Sequence, residues 1–497
     1  MKIQSGAPGG AQIQPQDDAQ SGTQDGVPAA ASGGHDPQRR RAIGRAAALG
    51  AAVSGAPWVL RHAYAQSFDL GAYQNAKINW RQAEGQTVNC AVIPAAYFDN
   101  LIAVTPEFEA LTGIKVRYDK VPPGQIRQKV VLDMSSKTAN ISTHAGDPMY
   151  IPLYAANKWA DALEPYLSDS RLTDKAWYKY DDIFESWRRA DMYNGKTYGV
   201  PFMGEATIQT YRKDLYDAKG LKPAETLDEI VSNAKALHNP AARMWGFCLR
   251  GMPGAGQNMY IYPSILGAYG GKWFDAGGKI RVNSPEAVAA LDWYITTNNT
   301  FAPQAAQNWN WPDIADAFAQ GTIACYIDGS SAVSVIANPE RSKVMGKIGY
   351  ARWPKGPSGK RVSSIWNWAM PINAALPEKA RHATWLYIQW ATSEETQART
   401  SYKFKGPGKR FDLNRASMWK IPEYVKTMAD AGTNFIGATT DSQTQDADVD
   451  WRPRVPQWPA IGETMAKIVQ SALVGQVKPK QALDDAQVQV ERIMRGG

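Results

Sequence analysis

The chain has 497 residues, 44% of them hydrophobic and 21% charged, with a formal net charge of +8. That length exceeds what one ordinary core organises and predicts two lobes. The charge is mild: Lys2, Arg39, Arg40, Arg41, Arg45 and Arg61 against Asp17, Asp18, Asp25 and Asp36 leave +6 beyond residue 65, without the dense basic stripe that a nucleic-acid partner would need.

In chain order, residues 1–38 are rich in Gly, Gln, Ala, Asp and Ser without apolar periodicity, and read as disordered or as lying upstream of the true start. Arg39, Arg40 and Arg41 precede an Ala- and Gly-rich stretch that ends in Ala63-Tyr64-Ala65. This is the pattern of a cleaved export signal, by a twin-arginine or a Sec route, with residues 1–65 as extension plus signal. Arg45 and Pro57 argue against reading Ala42 to Leu60 as a membrane span, and no later window is long and uncharged enough for one. The first cysteine, Cys90, lies well past the cleavage site, so a lipid tether is not expected and the chain should be free in the periplasm.

Val88 to Ile93 reads as a strand, Phe98, Leu101, Ile102, Phe108 and Leu111 as one face of a helix ended by Thr112-Gly113, and Ile114, Val116 and Tyr118 as a second strand. Such a unit closes right-handed onto a parallel sheet, which makes the lobe α/β. In residues 198–215, YGVPFMGEATIQTYRKDL, Val200, Phe202, Ile208 and Tyr211 favour extended structure. Gly199 and Gly204 mark turns or close approach there, Glu205 stands as a lone acid, and a helix begins at Arg212 to Asp214. A helix from Thr226 to Leu237, a strand over Gly246 to Leu249 and a helix from Ser284 through Ile295 follow. Then come a helix over Ile314 to Phe318 stopped by Gly321, a buried strand from Ile323 to Ile327 that leads to Asp328-Gly329, and a final helix with Leu483, Ala486, Val490 and Ile493 as its apolar stripe. Lys403, Lys405, Lys409 and Arg410, interrupted by Gly406, Pro407 and Gly408, read as a solvated loop.

Metal chemistry finds little support. His144, His238 and His382 are far apart without ligand spacing. Asp446, Asp448 and Asp450 begin like a calcium loop, but Trp451 replaces the required glycine and Gln457 the required glutamate, so a solvated acidic loop is expected. Tryptophan is more telling, with 18 in the chain and close pairs at Trp309 and Trp311 and at Trp366 and Trp368. Most would fill cores, but aromatic rings beside polar groups at strand ends suit the apolar faces and hydroxyl rims of sugars.

YGVPFMGEATIQTYRKDL, PEFEALTGIKVRYD (106–119), WGFCLRGMPGAGQNM (245–259), KWFD (272–275), CYIDGSS (325–331) and SSIWNWAMPIN (363–373) together resemble the family 1 extracellular solute-binding proteins, most of all the branch that binds mannitol, sorbitol and related polyols. The resemblance runs from about residue 86 to the C-terminus. It implies an α/β, two-lobed periplasmic-binding-protein fold, class II-like, with discontinuous lobes joined by a hinge. Crossings near 199, 364 and 411 would give an N-terminal lobe of 86–198 and 365–410 and a C-terminal lobe of 199–364 and 411–497. It also places Cys248 and Cys325 in one lobe, which makes them the pair to test for a disulfide; buried free thiols are the favoured reading. Pro122 and Pro123 stand where the polyol branch carries consecutive acids, and a proline side chain cannot accept from a hydroxyl, so carbohydrate in general is the safer expectation.

In such lobes ligands sit beyond the carboxyl ends of the strands. The candidates are Tyr97 and Asp147 from the first lobe, and Glu205, Arg250, Gln257, Asn258, Trp273, Asp328, Trp366, Asn367, Trp368, Gln457 and Trp458 from the crossings and second lobe. The resemblance puts Glu205 first among them, because related sugar binders use an acid at that place. Arg250, beside a glycine-rich loop, suits bidentate contact with adjacent hydroxyls. If residues 365–370 are a strand, Trp366 and Trp368 share a face and Asn367 points the other way.

The function implied is capture of a carbohydrate or polyol by a monomer that delivers it to an ATP-binding-cassette (ABC) permease, with no cofactor and no catalysis. The chain has no GxxxxGK[ST] loop. The alternatives are a secreted carbohydrate-active enzyme using paired carboxylates such as Glu205 and Asp328, and a sensory or adhesion module.

Overall fold

The structure is a computed structural model and describes residues 68–406 and 410–496, so the expected signal and cleavage site, with Lys409, lie outside it. Two sheets form the centres of two lobes. The first is parallel: β1 (Thr87–Val92) lies between β2 (Lys115–Lys120) and β3 (Thr143–His144), with Val88 opposite Val116 and Cys90 opposite Thr143. The expected helix between β1 and β2 is α1 (Ala96–Thr112), which ends at Gly113 and buries Phe98, Leu101, Phe108 and Leu111. α2 (Pro123–Ser136) leads on to β3.

The strand that joins the lobes is β4 (Val200–Arg212), buried along its whole length. The helices that follow are α3 (Leu227–Leu237), capped by the Thr226 hydroxyl, α4 (Asn258–Ala268), α5 (Pro285–Phe301) and α6 (Trp311–Ala319), whose start is fixed by a reciprocal Asn310–Asp313 capping box. Of these, α6 packs on β5 (Cys325–Gly329); β6 (Ile348–Arg352) follows, and the chain then re-enters the first lobe through β7 (Ile365–Met370). Residues 200–206 of β4 pair antiparallel with β7, whereas residues 207–212 pair with β5 and β6. Gly146 and Ala369 exchange backbone hydrogen bonds of 2.7 and 2.8 Å, which fixes β7 beside the end of β3. One strand therefore belongs to both sheets and changes partners between Ala206 and Thr207.

After β7, α7 (Glu378–Ala391) packs on β1, and the segment Phe435–Asp441 packs on β6. A third strap joins the halves at Arg410 to Arg415, where Met203 bridges Leu413. Arg410 is not in a solvated loop as its basic neighbours suggest: it is buried, with Nε donating to Asp412 at 2.5 Å, Nη2 donating to the Phe202 carbonyl at 2.9 Å and its guanidinium 4.3 Å from the Phe202 ring centre. α8 (Trp458–Leu473) and α9 (Pro479–Met494) close the chain, with Leu483, Ala486 and Val490 buried.

Two sequence expectations change in detail. Residues 246–249 do not form a continuous strand: they make parallel bridges at Trp245–Ile323 and Cys248–Tyr326, and the Leu249 amide turns to the Asn298 side chain at 3.0 Å. Gly204 does not break β4; it lies against the Trp187 indole, where a Cβ would overlap the ring. Gly204→Ala should therefore cost about 1–3 kcal/mol through overpacking at the hinge, read as a lower urea midpoint. An unchanged midpoint would mean that Trp187 moves aside freely.

Cys248 and Cys325 are neighbours through a backbone hydrogen bond of 3.2 Å, and Cys90, Cys248 and Cys325 are all buried free thiols. Among the described residues no helix is long and apolar enough to cross a membrane.

Candidate functional site

β4 and β7 carry the first part of the site. Alternation along β7 sends Trp366 and Trp368 to one face, with ring centres 5.7 Å apart. Asn367 goes to the other, donating to Asp191 at 2.8 Å and to the Trp187 carbonyl at 3.1 Å. Its amide nitrogen is thereby committed to the hinge, while its Oδ1 is buried without a hydrogen-bond partner among the described residues. Trp368 lies near the Tyr97 hydroxyl, and Tyr260 of α4 meets Trp366 edge-on at 6.0 Å and Trp451 at 5.9 Å. Tyr97, Trp368, Trp366, Tyr260 and Trp451 thus form a chain of aromatic contacts that draws on both lobes.

Glu205, opposite Trp366 in the β4–β7 ladder, accepts from the Ser331 hydroxyl and keeps 8% of its surface exposed. Burial pushes its pKa up from 4.5 to about 7, against the opposing pull of Arg250 and Ser331, while the Asp328 charge adds to the rise. Arg250 is also buried. Its Nε donates to Asp328 at 2.7 Å, Nη2 donates to the other Asp328 oxygen, Nη1 donates to the Gly256 carbonyl at 3.1 Å, and its guanidinium is 4.5 Å from the Tyr260 ring centre. Asp328 further accepts from the Gly329 amide at 2.6 Å, so both of its oxygens are engaged within the protein.

Asp147 is likewise occupied, by the Met149 amide at 3.0 Å and by Arg127 of α2 at 2.8 and 3.0 Å. Arg127 reaches across to the second lobe: a Cβ on Gly256 would stand 2.9 Å from its Nη2 and 3.2 Å from Trp366, so a glycine there permits the approach.

The remaining candidates separate from this cluster. Asn258 is buried and braces α4, accepting from the Gly254 amide at 3.3 Å and donating to the Ala466 carbonyl at 2.9 Å. Trp273 donates to the Trp451 carbonyl at 3.0 Å and meets Trp458 edge-on at 5.1 Å, so this pair buttresses the loop that carries Trp451 and Arg452. Gln257 lies beside Gly254 with a buried, unpartnered Oε1, and Gln457 is half-buried just before α8. Asp446 pairs with Arg352 at 2.7 Å and so serves as an internal ion-pair partner, not as part of a solvated loop.

Sequence reasoning missed Arg127, Tyr260, Ser331, Trp451 and Arg452. Trp451-Arg452, an aromatic beside a cation in an acidic loop, was the available signal, and it lies six residues before the Gln457–Trp458 pair chosen instead.

Residues 95–398 match the bacterial extracellular solute-binding protein family. A mannitol-binding protein of Pseudomonas aeruginosa is 26% identical over 409 residues, covering 78% of this chain and 88% of the relative. An ABC transporter solute-binding protein of Agrobacterium radiobacter K84, solved with ribitol, superposes with a TM-score of 0.74 at 27% identity, over 83% of this chain and 99% of its own. One from Agrobacterium vitis S4, solved with D-mannitol, gives 0.72 at 26% with the same coverage. With a shared hinge strand between two α/β lobes and a family match over more than half its length, this chain belongs to the bacterial extracellular solute-binding proteins.

Proposed function

We propose that the protein captures a carbohydrate or polyol between lobes comprising residues 86–198 with 365–410 and 199–364 with 411–497, and delivers it as a monomer to the permease of an ABC importer. The same reading has the chain exported to the periplasm and its signal cleaved near Ala65. The observation that carries it is the junction of the two lobes, where Trp366 and Trp368 stand on a hinge strand beside Glu205 and within reach of charged groups from both sides. Indole faces can cover the C–H surface of a sugar while the carboxylate and guanidinium groups satisfy its hydroxyls. A ligand that touches both lobes would favour the closed arrangement by its differential contacts. The polyols bound by the relatives from P. aeruginosa and the two Agrobacterium species support the choice of ligand class.

A glycosidase reading loses support at Asp328. Both of its oxygens are held by Arg250 and the Gly329 amide, so it is poorly placed to act as nucleophile or base opposite Glu205. Thermal-shift measurements on the full chain with alditols, monosaccharides and short oligosaccharides test the proposal, since a ligand that binds only the folded state raises the melting temperature. At least one member of the panel should stabilise the protein and be recovered unchanged. Trp366→Ala should weaken its binding about thirtyfold, or about 2 kcal/mol, relative to the variant's own ligand-free melt. Turnover, or no response to any member, would defeat the reading.

A further inference from the structure

Arg452 stands at the lobe junction, and among the described residues no protein group is hydrogen-bonded to it. Its side chain is only 6% exposed, its Nη1 is buried without a partner, and its nearest carboxylate oxygen, on Asp147, is 4.0 Å away. That carboxylate is already taken by Arg127 and by the Met149 amide. The guanidinium lies 5.1 Å from the Trp366 ring centre and 4.7 Å from that of Trp451, so it is held against the aromatic wall already described. Trp273 donates to the Trp451 carbonyl at 3.0 Å and so supports the residue before Arg452.

Among the described residues, the one carboxylate within 4.0 Å of Arg452 is Asp147, which Arg127 already holds. Arg250 is matched by Asp328 and Arg127 by Asp147. The fields that act on Arg452 come from two acids, Asp147 and Asp191, and two arginines, Arg127 and Arg454. Arg454 has a separate partner in Asp450 at 3.8 Å. Burial lowers the Arg452 pKa to about 10, which still leaves it cationic at neutral pH. A buried cation without hydrogen-bond partners is costly, and a bidentate anion is the group that best relieves that cost.

We propose that the captured molecule is a sugar acid, a polyhydroxylated chain or ring bearing one carboxylate, with the carboxylate on the Arg452 guanidinium and the hydroxylated part along Trp366 toward Glu205. This rests on the carbohydrate reading above and narrows it from neutral polyols to their acids.

The test is calorimetric titration of the full chain with a panel of alditols, each paired with its own aldonate: ribitol with ribonate, D-mannitol with D-mannonate, and the corresponding pairs of other configurations. At least one aldonate should bind tenfold or more tightly than its alditol. Arg452→Met should abolish that preference, and Arg452→Lys, which keeps the charge but loses the planar fork, should retain part of it. The wild-type comparison needs no variant and stands even if Arg452→Met fails to fold. Alditols that bind as tightly as their acids, or a folded Arg452→Met with its preference intact, would overturn this inference and leave the carbohydrate reading standing. Binding of neither class would overturn this inference, and the carbohydrate reading would fall with it only if the monosaccharides and oligosaccharides also fail to bind.

Discussion

Arg250→Met should destabilise the ligand-free protein by about 3–5 kcal/mol, because it leaves the Asp328 carboxylate buried without its counter-charge. Arg250 and Asp328 are only 4% and 1% exposed, and the guanidinium fork fills both carboxylate oxygens, so neither group can turn to water when the other is removed. Adding Asp328→Asn relieves the stranded charge and should recover about 2 kcal/mol or more. Ligand binding should not return with stability. The fork also orders the Gly256 loop through the Gly256 carbonyl and holds Tyr260 under its face, and the double variant restores neither contact. Urea denaturation of the single and double variants, with ligand titration of each, separates the two effects. Equal losses of stability in both variants would refute the stranded-charge account.

Glu205 should make the stability of the fold depend on pH. Its carboxyl titrates near 4.5 in the unfolded chain and about 7 in the folded one, so between these values the folded protein holds a proton that the unfolded chain has released. Stability from this group is therefore fullest below about pH 4.5, falls as pH rises toward 7, and is lowest above that, by about 3 kcal/mol. Glu205→Gln removes the titration. The ligand-free variant should exceed the wild type by about 1 kcal/mol at pH 5 and by about 3 kcal/mol at pH 8, while its ligand-induced stabilisation is lost with the carboxylate acceptor. Urea midpoints of the two proteins from pH 5 to pH 8 give the comparison, and titrations common to both cancel in the difference. A difference independent of pH would show that Glu205 is not ionised at the expense of the fold.

Much of the fold could be read locally. Phe98, Leu101, Phe108 and Leu111 repeat at helical spacing and Val88 and Val116 sit in adjoining strands, so the first parallel unit follows from side-chain periodicity and the Gly113 stop. The alternation of Trp366, Asn367 and Trp368 likewise assigns each side chain to the face it takes in the structure. Residues 246–249 differed because the Asn298 side chain, from a helix about fifty residues later, takes the Leu249 amide that a strand would have used.

The site divides along the same line. Glu205, Trp366 and Trp368 stand on strands at the lobe junction, where residue type and strand position coincide, whereas Arg250, Asn258, Trp273 and Asn367 direct hydrogen bonds to internal partners. By itself the sequence determined the α/β units, the wealth of aromatic residues and the lone acid on the hinge strand, since these depend on neighbours along the chain. Only tertiary structure decided which charges are paired, joining Asp328 to Arg250 and Asp147 to Arg127 and leaving Arg452 without a hydrogen bond among the described residues. The paired residues lie 78 and 20 positions apart in the chain, beyond the reach of helix or strand periodicity, so no local pattern encodes the pairing.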